Sequence, residues 1–158
     1  MEGTLVVTMN VPQSDILAGI KANSYYIGEA RKDAKDMMET AARLQASNDN
    51  NDILLRFAKS ASSELVNILT KVLGSTVATW TTTGDTPGVT FVTQAIANFM
   101  SSQTANLNSV LENYIENYCL MNWMATNKPD EVKWFEMKLQ SLQDDIRVIC
   151  SHRSKPTL

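Results

Sequence analysis

The stretch VKWFEMKLQSLQDDIRVIC, residues 132–150, carries the clearest pattern in the chain. Val132, Phe135, Leu139, Leu142, Ile146 and Ile149 recur in a 3-4-3-4-3 order. That is the narrow seam with which one helix packs knobs into holes against another. The segment before it repeats the theme: Leu107, Leu111, Tyr114, Tyr118, Met121 and Ala125 recur at spacings of three and four along one helical stripe. Between the two lies Asn127-Lys128-Pro129-Asp130-Glu131, where proline suits a first helical turn and the carboxylates favour the positive end of the helix dipole. Arg147, His152, Arg153 and Lys155 gather at the opposite, negative end. The reading is an antiparallel helical hairpin with arms at about 103–126 and 130–150, followed by a tail over 151–158.

Upstream, Thr4 to Val11 is rich in β-branched residues and stops at Pro12, which predicts a short strand over 4–11. Ile20, Ile27, Ala30, Ala34, Met37, Ala41 and Leu44 then give an apolar stripe for a helix at about 15–46, with Gly19, Gly28 and Asn23-Ser24 as places where it could break. Residues 47–52 are almost wholly turn formers, a solvated loop that lacks the glycine and terminal glutamate of a calcium-binding loop. A second helix at about 52–73 follows, with Leu54, Phe57, Ala61, Leu65, Ile68 and Val72 on one face and Gly74 where a glycine cap belongs. From 76 to 93 the texture turns to threonine, valine and aromatics around Gly84-Asp85-Thr86-Pro87-Gly88, a β-hairpin. Gln94 to Thr104 hints at a short helix. The fold class is therefore mainly α: one domain over 1–158, a bundle of about four helices with a small antiparallel β element.

With 158 residues the chain can bury a core without metals or disulfides. A net charge of −3 disfavours a surface built for specific nucleic-acid binding, and no apolar run approaches the roughly 20 residues of a membrane span. Cys119 and Cys150 sit at different levels of the predicted hairpin, about 21 Å apart along its axis. They are therefore expected to be buried thiols rather than a disulfide. The single histidine, His152, lies in the tail without a nucleophile or co-ligands, neither cysteine has a partner at zinc or redox spacing, and no phosphate-binding loop is present. Glu112 with Glu116, and Asp144 with Asp145, read as surface charge; Trp80, Trp123 and Trp134 read as packing residues. No enzymatic activity and no cofactor are expected. Function would reside in surfaces. A hairpin with free edges pairs with the N-terminal strand or borrows an edge from a neighbour, with Trp80 and Phe91 as candidate anchors and Arg153 and Lys155 as weaker, salt-sensitive contacts.

Four strings carry a family resemblance: ANSYYIGEAR at 22–31, DILLRF at 52–57, WMATNKPDE at 123–131 and DIRVICSHRSKP at 145–156. With the order of elements, they resemble small head–tail connector or ring proteins of tailed bacteriophages and prophages of gut Bacteroides-type bacteria, crAss-like phages included. The resemblance implies a non-catalytic virion component, made in the host cytoplasm. It also implies assembly with itself into a ring near twelvefold, and contact with portal, adjacent connector or tail proteins. The alternative is a host-encoded helical adaptor that binds a partner helix in an apolar groove.

Overall fold

A computed structural model of the chain describes residues 4–31, 46, 50–81, 84, 87–96, 99–127 and 132–151. Strand β1 (Thr4–Pro12) leads directly into helix α1 (Gln13–Arg31). Helix α2 (Asn51–Val72) follows, then strands β2 (Gly74–Thr81) and β3 (Gly88–Ile96). A 3-10 turn at Ser101–Gln103 precedes helices α3 (Thr104–Asn127) and α4 (Val132–Cys150). The protein is mostly helical, and the β part is larger than a small hairpin element. It is a three-stranded antiparallel sheet in the order β1-β3-β2.

The sheet settles where the hairpin finds its third strand. β1 pairs with β3 in a register that sets Met9 opposite Phe91 and Thr8 opposite Val92, while β2 sets Ala78 opposite Phe91 and Val77 opposite Val92. β3 is thus the central strand, so the hairpin is not a free arm. The Gln13 amide donates to the Pro87 carbonyl at 2.9 Å, tying the turn end of the hairpin to the start of α1. Alternation then sorts the side chains. Val7, Met9, Val11, Val89, Phe91, Thr93, Ala95 and Thr76 are buried on the inner face, with the Thr76 and Thr93 hydroxyls hydrogen-bonded to each other at 2.9 Å. Two buried hydroxyls that satisfy each other avoid the cost of an unpaired polar group.

The helices cover that face, and α3 is their hub, in contact with α4, α2, α1 and β1. A hub helix is buried on several sides, which corrects the single stripe read from its sequence. Leu107, Leu111 and Tyr114 are buried as expected, but the burial continues through Ile115, Cys119, Leu120 and Met124, while Ala125 is exposed. α4, at the periphery, keeps its one-sided pattern: Phe135, Leu139, Leu142, Ile146 and Cys150 are buried, with Ile149 at the margin. The Tyr114 hydroxyl joins three helices, donating to Glu64 Oε2 at 3.0 Å and accepting from Gln143 Nε2 at 3.4 Å.

Several boundaries differ from the sequence reading. α1 runs unbroken through Gly19 and Asn23-Ser24, because packing of Ile16, Leu17 and Ile20 outweighs weak propensity. The Ser24 hydroxyl is buried and accepts from the Ala46 amide at 2.9 Å. The stretch 32–45 of the predicted first helix lies outside the described residues. The expected short helix after Gln94 is instead the end of β3 and the 3-10 turn. Cys119 and Cys150 are both buried and unbridged. The Cys119 thiol, pushed up by burial and then by Glu116, donates to the Leu54 carbonyl at 3.6 Å.

Candidate functional site

The helices create one unusual electrostatic nook. Glu112 and Glu116, one turn apart on α3, face α1 at Gly19 and Asp15. The Glu116 carboxylate lies where a Cβ on Gly19 would stand, so a larger residue there would push this flexible side chain aside. The reading of Glu116 as surface charge is thereby corrected. Burial, then Glu112, then Asp15 push its carboxyl up to about 7. Glu112 is raised by burial and by Asp15. Among the described residues, no group of three His, Cys, Asp or Glu side chains could hold a metal ion. With both carboxyls raised by burial and by neighbouring carboxylates, the nook stores electrostatic cost, released by a proton.

The direction of the pH effect follows. A carboxyl whose folded value lies above its unfolded 4.5 destabilises the fold when ionised. The penalty is present above pH 7, eases as pH falls through 7 and is gone below about 4.5. Glu116→Gln should raise stability at pH 8 by about 1–2 kcal/mol after solvent screening, and by little at pH 4.5. Thermal melts of both proteins at the two pH values check this; equal gains at both would assign the effect to packing.

The other feature is the outer face of the sheet. Val6, Thr8 and Asn10 of β1, Thr90, Val92 and Gln94 of β3, and Ser75, Val77, Thr79 and Thr81 of β2 share it, and none is charged. Val77 is 62% exposed and lies beside Val92, with Val6 also exposed on β1. Among the described residues the ladders join β1 and β2 only to β3, so each keeps an outer edge. Neither edge strand carries a lysine, a glutamate or an interior proline, the devices by which sheet edges are guarded against pairing.

The anchors expected from sequence are placed differently. Phe91 is fully buried at the centre of the inner face, so it cannot be an interface residue; that expectation is corrected. Trp80 is half-buried against α2 beside a shallow groove of about 550 Å³ that includes Lys59, Ser62, Val66 and Val77, and its indole Nε1 is buried without a partner. It belongs to the inner face as well, not to the Val6, Val77 and Val92 patch. Arg153 and Lys155 lie outside the described residues. The sequence signal that was missed is the alternation in GSTVATWT, which puts Val77, Thr79 and Thr81 on one side and Thr76, Ala78 and Trp80 on the other. No helix among the described residues is long and apolar enough to cross a membrane. Comparison with protein-family models, with curated proteins and with solved structures gives no match.

Proposed function

We propose that this chain is a non-catalytic structural subunit of a bacteriophage particle, part of the head–tail connector or tail ring. It would assemble with its own copies and with portal, connector or tail neighbours. The observation that carries the reading is the uncharged outer sheet face with an unguarded strand at each side. β1 and β2 both run antiparallel to β3, so the β2 edge of one copy can meet the β1 edge of the next. Repeated head to tail, that contact closes into a ring. The resemblance of the four sequence strings supplies the virion context and the symmetry near twelvefold. In this reading α3 and α4 are the antiparallel arms of a stiff hairpin, consistent with the pairing of Tyr114 and Gln143 at similar distances on either side of residues 128–131.

The test is electron microscopy and mass analysis of particles carrying wild-type chain or Val77→Lys. Val77 is exposed, so the substitution should leave the monomer's melting temperature within a few degrees. Wild-type protein in a ring at the head–tail junction, and incorporation at least tenfold lower for the variant, is the expected result. Absence of the wild-type chain from particles rejects the virion reading. Normal incorporation of Val77→Lys rejects the sheet as the assembly surface.

A further inference from the structure

The last helix has a second stripe. Trp134, Met137, Ser141, Asp144 and Val148 follow the same alternation of three and four as its buried seam, on the side turned away from the core. Trp134 is 58% exposed, Met137 67% and Val148 59%. Trp134 stands edge-on to Phe135 with ring centroids 4.9 Å apart, so a core residue holds an exposed aromatic. A helix whose opposite face is fully packed does not need these apolar groups for its own burial.

We infer that this stripe pairs with the same stripe of a second copy, the two α4 helices running antiparallel about a twofold axis. The charge pattern selects both partner and direction. Lys133 and Lys138 lie in the first half of α4, Asp144 and Asp145 in the second. In a parallel pair the residues flanking the seam bring Lys133 beside the second copy's Lys138, on both sides, which is repulsive. In the antiparallel pair Lys138 meets the second copy's Asp145, twice. The antiparallel register that does this packs Met137 on the second copy's Val148 and brings Gln140 to the second copy's Arg147. Sliding by one heptad would instead set Lys138 against its own symmetry mate. One polar layer remains, Asp144 opposite the second copy's Ser141. Asp144 already accepts from Arg147 at 3.0 Å, so its charge is partly matched, and a polar layer in a helix seam fixes register at a cost in affinity.

The contact from Met137 to Val148 spans only about 17 Å of helix. It is smaller than the roughly 800 Å² per partner of a standard interface, so the dimer is weak. The inference concerns the chain alone in solution and is independent of the virion reading.

Sedimentation equilibrium of the full chain tests it. The average mass should be that of one chain at about 10 µM and approach two chains at about 1 mM, as for a dissociation constant near 100 µM. Met137→Glu should hold the mass at one chain throughout. Lys138→Asp and Asp145→Lys should each weaken association at least tenfold, and the double exchange should restore it. All three positions are exposed, and circular dichroism of each variant should match the wild type. A single-chain mass for the wild type at every concentration overturns the inference. So does association that survives Met137→Glu. Failure of the double exchange to recover what each single change loses overturns the antiparallel register.

Discussion

Replacing Phe91 by alanine should lower the unfolding free energy by about 3–5 kcal/mol, a large part of the 5–15 kcal/mol typical of a domain. The side chain is fully buried on the central strand, opposite Met9 on one side and Ala78 on the other. Its loss opens a cavity bounded by paired backbone that cannot collapse to fill it. Urea unfolding followed by circular dichroism gives the value. Val92→Ala, the next residue on the exposed side, is the control and should cost below about 1 kcal/mol. Equal losses at the two positions would mean that the inner and outer faces of the sheet have been exchanged.

Gly74→Ala is the second large effect, and it arises from the backbone rather than the core. Gly74 follows the end of α2 and opens β2 with a φ of 156°, a region that side-chain-bearing residues rarely adopt. An alanine Cβ would fall onto the carbonyl oxygen of Gln94, part of the β3 backbone that pairs with β2. A flexible side chain could move aside; a ladder carbonyl can do so only by breaking the sheet. The expected loss is about 3 kcal/mol or more, against less than about 0.5 kcal/mol for Ser75→Ala beside it. Hydrogen exchange should localise the damage, with faster exchange for the β2 amides that bond to β3 and little change in α4. Uniformly faster exchange would instead indicate global destabilisation without a local origin at the α2–β2 junction.

The parts of the fold legible in the amino-acid order are those governed by local periodicity. The seam of α4 is one: a peripheral helix buries a single stripe, so Phe135, Leu139, Leu142 and Ile146 announce themselves at spacings of three and four. The β2–β3 hairpin is another, because turn residues and β-branched runs act over a few positions. Cys119 and Cys150 are unbridged and buried, as expected of small apolar residues on helices. Tertiary structure decided the rest. Whether β1 would pair with β3 or leave that edge to another chain depends on contacts such as Thr8 with Val92, far apart in sequence, whose loop-closure entropy no local pattern encodes. In a strand of threonine and valine, alternation defines two faces without saying which meets the helices; the packing of α1 and α2 against β3 puts Phe91 inside. α3 is buried on several sides because other elements surround it, and no single stripe reports that. Glu116 looks like any surface carboxylate in the chain. It becomes a half-buried group titrating near neutrality because α1 packs against α3, burying its carboxyl against Gly19 and bringing Asp15 near it, a meeting of two elements that exists only in three dimensions.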